Sequence, residues 1–238
     1  GRTVAEVIVA LDRPSQEEAL ELVDRLGEAG TFYKVGLELF TRAGPDVVRT
    51  LRSRGKRVFL DLKLHDIPNT VARAVASVAA LDVALTTVHA AGGAPMLQAA
   101  ADAAGEAGGD RMKVVAVTVL TSLSAGDVSA AWGREVASVD DEVFRLARLS
   151  LEAGLDGVVS SAREAVRLRA GLGSDAVLVT PGIRLADGER GDQKRVTTPR
   201  EAAEAGADYL VLGRAVTAAE DPAAALRTVL AQVDGATG

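Results

Sequence analysis

Short apolar segments rich in Val and Leu return at near-regular intervals along this chain, each followed by a stretch of mixed polarity. The apolar segments are residues 7–12, 33–39, 58–64, 84–90, 114–120, 157–161, 176–183 and 209–213. Apolar residues stand at consecutive rather than alternate positions, the pattern of strands buried on both faces of a parallel sheet. Between them, residues 16–29, 45–54, 69–81, 141–153 and 200–205 carry the amphipathic spacing of helices. Several stop at a glycine (Gly30, Gly55, Gly154 and Gly206), a usual helix C-terminal signal. Eight strand–helix units in 238 residues match the count and length of a (β/α)8 barrel. A doubly wound open sheet is the alternative, and eight regular units favour closure. No linker or low-complexity segment divides the chain. It is therefore expected to be α/β, a (β/α)8 TIM barrel forming a single domain over residues 1–238. Its longest irregular stretches, residues 121–139 and 184–199, follow the fifth and seventh strands, on the face where such barrels carry their sites.

The decapeptide Asp61-Leu62-Lys63-Leu64-His65-Asp66-Ile67-Pro68-Asn69-Thr70 breaks the apolar pattern with charge. Side chains alternate along a strand, so Asp61 and Lys63 are expected on one face. Opposite charges there must pair, because an isolated buried charge is very costly. A buried ion pair that only fixes the fold is the bland explanation. It weakens because the first strand ends Val9-Ala10-Leu11-Asp12 and the second opens Tyr33-Lys34-Val35-Gly36. Asp12, Lys34, Asp61 and Lys63 then converge in the barrel mouth with alternating sign. Carboxylate neighbours keep the two lysines as ammonium groups, suited to donate protons rather than to act as amine nucleophiles. Asp66 lies past the strand, where the chain turns at Ile67-Pro68.

The far side of the barrel carries a second group. The seventh strand ends Thr180-Pro181-Gly182-Ile183-Arg184, residues 188–195 form a Gly-bounded basic loop, and the eighth strand ends Leu212-Gly213-Arg214. Loops after strands seven and eight commonly bind phosphate in such barrels. Gly213 lets backbone N–H groups approach an anion, and Arg184 and Arg214 can fork onto phosphate oxygens. The loop is expected to act as a lid over a phosphorylated ligand.

Composition narrows the choice. A net charge of −6 argues against broad binding to nucleic acid or an anionic membrane. The chain has no cysteine and only two histidines, His65 and His89, too few for a His-rich metal site. No apolar run approaches the roughly 20 residues that span a bilayer, and the opening residues lack a signal-peptide pattern. A cytoplasmic enzyme is expected. His65, His89 and Trp132 are expected to serve packing or support, and Asp140-Asp141-Glu142 to begin a helix.

These pieces together resemble the orotidine 5′-monophosphate decarboxylase family. The resemblance rests on Val9–Asp12, Tyr33–Gly36, the decapeptide, Val117-Thr118-Val119-Leu120-Thr121-Ser122, Pro181–Arg184, Asp192-Gln193-Lys194-Arg195 and Leu212–Arg214, in that order over nearly the whole chain. The decapeptide is the specific part. The resemblance implies loss of the C6 carboxylate of orotidine 5′-monophosphate, giving uridine 5′-monophosphate and carbon dioxide without metal or organic cofactor. This is the last step of de novo pyrimidine synthesis. It further implies that Lys63 delivers a proton to C6, that Asp61 faces the departing carboxylate, and that Lys34 and Asp66 complete the catalytic set. Asp12 and Lys34 would contact ribose hydroxyls. Thr121 or Ser122 would bond the base, and Gln193 would bridge base and phosphate. Arg184, Gly213 and Arg214 would hold the phosphate, with Pro181 also against substrate. In a homodimer, Asp66, Ile67 and Thr70 would reach the partner's site. One alternative is a magnesium-dependent sugar-phosphate decarboxylase or aldolase of the same barrel superfamily. The other is a catalytically silent nucleotide-binding paralogue.

Overall fold

The computed structural model describes residues 3–108, 112–185 and 197–237. Eight parallel strands are formed by Glu6–Ala10 (β1), Phe32–Val35 (β2), Arg57–Leu64 (β3), Leu85–His89 (β4), Lys113–Val117 (β5), Gly157–Val159 (β6), Val177–Ile183 (β7) and Tyr209–Leu212 (β8). They pair in sequence order, and β8 pairs with β1 to close the barrel. Closure leaves no open sheet edge.

The consecutive apolar runs resolve into two cores. Ile8, Phe32, Phe59, Leu85, Val115, Val179 and Val211 meet in one cluster inside the barrel. Their strand neighbours, such as Val9, Tyr33, Val58, Leu60 and Leu210, join a second cluster beneath the helices. Alternation along each strand is thus intact, with both faces apolar. The inward parity is what positions the site. Extended past the interior residues, it carries Ala10 to Asp12, Phe32 to Lys34, Phe59 to Asp61 and Leu85 to Thr87. At the opposite end the Arg57 guanidinium lies 4.3 Å from the centre of the Phe32 ring and pairs with Glu6, closing the floor.

The strand expected over 114–120 ends at Val117, and two further segments differ in kind from expectation. The stretch 33–39 is not all strand: β2 ends at Val35, Gly36 is the N-cap, and Leu37–Ala43 is helical. The stretch 121–139 is not all irregular, since Ala125–Trp132 is a helix opened by a capping box between Ser124 and Asp127. Gly126 and Ser129 hide that helix from a propensity count. Among the described residues, no helix is long and apolar enough to cross a membrane.

Candidate active site

Asp61 is the buried centre of the charge cluster, only 6% exposed. Its Oδ2 accepts a hydrogen bond from Lys63 Nζ at 2.9 Å, with Lys34 Nζ at 3.6 Å. Its Oδ1 accepts from the Thr87 hydroxyl at 2.7 Å. One carboxylate therefore stands between two ammonium groups and a neutral donor, which offsets the desolvation of the buried charge.

Simple alternation does not explain how Lys63 reaches Asp61. Leu60 pairs with Thr86 and Leu64 with Val88, so β3 takes four residues where β4 takes two. The excess forms a bulge, a device common at barrel rims beside active sites. Lys63 sits in it with φ of 49°, left-handed backbone unusual for a residue with a side chain. The Lys63 N–H, turned out of the ladder, donates to Thr87 Oγ1 at 2.9 Å. A second register shift lies across the barrel in β7, between Thr180 and Ile183, where Gly182 takes φ of 75°. Here Gly182 supplies the positive φ that bends the strand end.

The charges form one wall of a cavity of about 190 Å³. Phe59, Val117, Val159, Val179 and Val211 make its apolar lining, and Thr121 and Pro181 also line it. Val119, Leu120, Thr121, Glu164 and Pro181 are shared with an adjoining groove of about 900 Å³. Thr121 reaches this cavity; Ser122 is exposed and does not line it. Asp12 is exposed, and its Oδ1 lies 3.9 Å from where a Cβ on Gly36 would stand. It overlooks the end of β2, tied there because Leu11 N–H donates to Lys34 O at 2.9 Å. On the far wall Arg184 N–H donates to Thr197 O at 3.0 Å, joining the two ends of the β7 loop. The expected contact Gln193 and the lid itself lie outside the described residues. Gly213 caps the short helix Arg214–Thr217, with open space where a Cβ would be, and Arg214 is exposed.

Asp66 does not join the cluster in this chain. Its Oδ1 accepts from Ile67 N–H at 2.7 Å, and Ile67 is 66% exposed at the start of helix Pro68–Ala79. Thr70, in the first turn, is exposed as well.

Three residues were not singled out from the sequence. Thr87 is one; it stands out from Thr86 only once the fold shows that Leu85 faces inward. Ser160 lines the cavity with its hydroxyl buried and unpartnered among the described residues. Glu164 closes the capping box of helix Ala162–Leu172. Burial pushes its carboxyl pKa up, against the Ser161 N–H bond that lowers it. No group of three or more His, Asp or Glu among the described residues is placed to hold a metal ion.

His65 and His89 face each other at 5.5 Å between ring centres. Burial lowers the His89 pKa from its ordinary 6.5, helped by His65 and Lys63 and opposed by Asp61. The fold thus favours neutral His89. Its contribution to stability is present above about pH 6.5 and is lost as pH falls through the lower folded value, where the unfolded chain binds the extra proton. Replacing His89 by Asn is expected to reduce the loss of Tm between about pH 7 and pH 5. Identical slopes for variant and wild type would remove His89 as a contributor.

The model of the orotidine 5′-phosphate decarboxylase / HUMPS family matches residues 5–229. The chain belongs to this family. The orotidine 5′-phosphate decarboxylase of Moorella thermoacetica is 50% identical over 233 residues, covering 96% of this chain and 92% of the relative. That of Vibrio vulnificus is 51% identical over 224 residues, covering 94% and 96%. Among solved structures, the orotidine 5′-phosphate decarboxylase of Lactobacillus acidophilus superposes with a TM-score of 0.87 at 38% identity, covering 97% of this chain and 99% of the other. Every strand-end residue described above falls within the span matched to the orotidine 5′-phosphate decarboxylase / HUMPS family.

Proposed function

We propose that this chain is an orotidine 5′-monophosphate decarboxylase, releasing carbon dioxide and uridine 5′-monophosphate in the last step of de novo pyrimidine synthesis. The observation that carries the proposal is the Lys34–Asp61–Lys63 array set against an apolar-lined cavity, in a chain half identical to decarboxylases over nearly its full length. The C6–carboxylate bond breaks, carbon dioxide leaves, and the electron pair stays on C6 in an sp² orbital that the ring delocalises poorly. A fixed ammonium beside C6 stabilises that charge as it develops. Lys63 then transfers its proton to C6 and regains one from water. Asp61 stands by the departing carboxylate and, with Lys34, holds Lys63 in place. Metal and organic cofactors have no part in the proposed reaction.

The remaining roles are part of the same proposal. Asp12 and Lys34 take the ribose hydroxyls, and Thr121 or Ser122 takes the base, Thr121 being the one favoured by its place on the cavity. Pro181, Arg184, Gly213 and Arg214 serve the phosphate end, with Gln193 bridging to the base. Phosphate contacts supply binding energy remote from the reacting carbon. Asp66, Ile67 and Thr70 act across a homodimer. Their exposure and their absence from the lining of this chain's own cavity support that assignment. The chain is one domain and works in the cytoplasm.

The test is an absorbance assay with orotidine 5′-monophosphate, with and without EDTA. EDTA-resistant conversion is expected. No conversion would favour the silent paralogue, and conversion lost to EDTA would favour the metal-dependent relatives. Arg214→Ala is expected to raise KM about 10- to 100-fold with a smaller change in kcat, as loss of a charge-assisted phosphate contact predicts. An unchanged KM would move the phosphate site elsewhere.

A further inference from the structure

We infer that Thr87 is a positioning residue for the decarboxylation, an inference that rests on the function proposed above. Thr87 is fully buried on β4, on the inward parity of Leu85. Its hydroxyl has one proton to give. The Lys63 backbone N–H can only donate, so Thr87 Oγ1 accepts that bond at 2.9 Å. The hydroxyl proton is then committed to Asp61 Oδ1 at 2.7 Å, a short distance suited to a bond onto a carboxylate. One oxygen therefore ties together the bulged backbone that carries Lys63 and the carboxylate that pairs with it.

Two consequences follow for the reacting groups. First, with Oδ1 held by Thr87, Asp61 presents Oδ2 to both lysines, at 2.9 Å from Lys63 and 3.6 Å from Lys34. A carboxylate torsion is otherwise broad and nearly two-fold, so nothing in the side chain itself selects this orientation. Second, Lys63 occupies left-handed backbone at φ of 49°, a conformation that persists only where its surroundings enforce it. The ladder cannot supply the enforcement, because the register of β3 on β4 is interrupted between Leu60 and Leu64. The Thr87 hydroxyl supplies it across that gap. Thr87 does not itself line the cavity; it touches the lining residues Asp61 and Lys63 from behind. Its effect reaches substrate only through Asp61 and Lys63.

The experiment compares Thr87→Val, which keeps the shape and removes the hydroxyl, with Thr87→Ser, which keeps the hydroxyl. Orotidine 5′-monophosphate turnover is measured alongside the dissociation constant of uridine 5′-monophosphate. Thr87→Val is expected to lower kcat about 10- to 100-fold, the scale of a sub-ångström to 1 Å misplacement of a reacting group. KM and product affinity are expected to stay within about 3-fold, because binding energy from the phosphate wall is untouched. Thr87→Ser is expected to recover most of kcat. Wild-type kcat in Thr87→Val overturns the inference. So does a Thr87→Ser variant as slow as Thr87→Val, or a loss carried equally by KM and product affinity. If Thr87→Val does not fold, Thr87→Ser and Thr87→Asn decide: both retain a hydrogen-bonding side chain, and a kcat below a tenth of wild type in Thr87→Ser despite an unchanged Tm overturns it. A wild-type chain that cannot turn over the substrate sinks the proposed function and this inference together. A wild-type chain that does, with an indifferent Thr87→Val, sinks this inference alone.

Discussion

Lys63→Ala is expected to leave a folded barrel whose turnover of orotidine 5′-monophosphate falls about 10⁴-fold or more. The size follows from two losses at one atom. The proton donor is gone, an effect of about 10²- to 10⁴-fold, and so is the charge that stabilises the carbanionic carbon, about 10²- to 10³-fold. The fold survives because Asp61 keeps Lys34 at 3.6 Å and the Thr87 hydroxyl at 2.7 Å, so its charge is not stranded. Circular dichroism and size-exclusion should match wild type while the absorbance assay shows almost no conversion. Turnover within about 10-fold of wild type would remove Lys63 as the donor, since neither loss could then be present.

Gly157→Ala should have the largest effect on stability. A Cβ at Gly157 would stand 1.8 Å from the backbone oxygen of Val177 and 2.7 Å from its Cα. Backbone on an adjoining strand cannot move aside as a flexible side chain can, and β6 has only three residues with which to adjust. Overpacking of this kind belongs at the extreme of point-mutant effects, above about 4 kcal/mol, where a marginally stable domain loses most of its folded population. The matched control is Gly126→Ala in helix Ala125–Trp132. Its nearest neighbour is Ser124 Oγ at 3.7 Å, an ordinary contact, and helix propensity favours alanine by up to about 1 kcal/mol. Urea denaturation of the pair should separate them widely. A Gly157→Ala chain as stable as the control would mean that the barrel relaxes at β6 more freely than its short strand allows.

The barrel was legible because double-sided burial writes continuous Val and Leu runs, and most strand bounds fall within two or three residues of those runs. Asp12, Lys34, Asp61 and Lys63 could be placed together because each stands at a strand's carboxyl end. The bulge at Lys63 could not be foreseen. A register shift is a property of two strands, and nothing in Asp61-Leu62-Lys63-Leu64 alone says that β4 advances by half as much. Thr87 was missed for a related reason. Leu85-Thr86-Thr87-Val88 reads as ordinary β-forming sequence, in which threonine needs no special duty. Only the parity of the folded strand separates Thr87 from Thr86, whose hydroxyl donates to Leu60 O at 2.9 Å. The helix Leu37–Ala43 was absorbed into the preceding strand because Leu37 and Leu39 continue its apolar run past Gly36.

The left-handed backbone at Lys63 sets the demands of chemistry and of folding against each other at one position. Glycine is the residue that this backbone tolerates at least cost, whereas the proposed chemistry demands a long ammonium-bearing side chain. Between two variants that lack the ammonium equally, Lys63→Gly should therefore be more stable than Lys63→Ala by about 1 kcal/mol, the reverse of their order in a regular strand or helix. That difference, measured by denaturation, is the part of the chain's stability forgone to hold an amine where a glycine would rest. A selection for thermal resistance alone would be expected to drift toward glycine here and to lose activity in doing so.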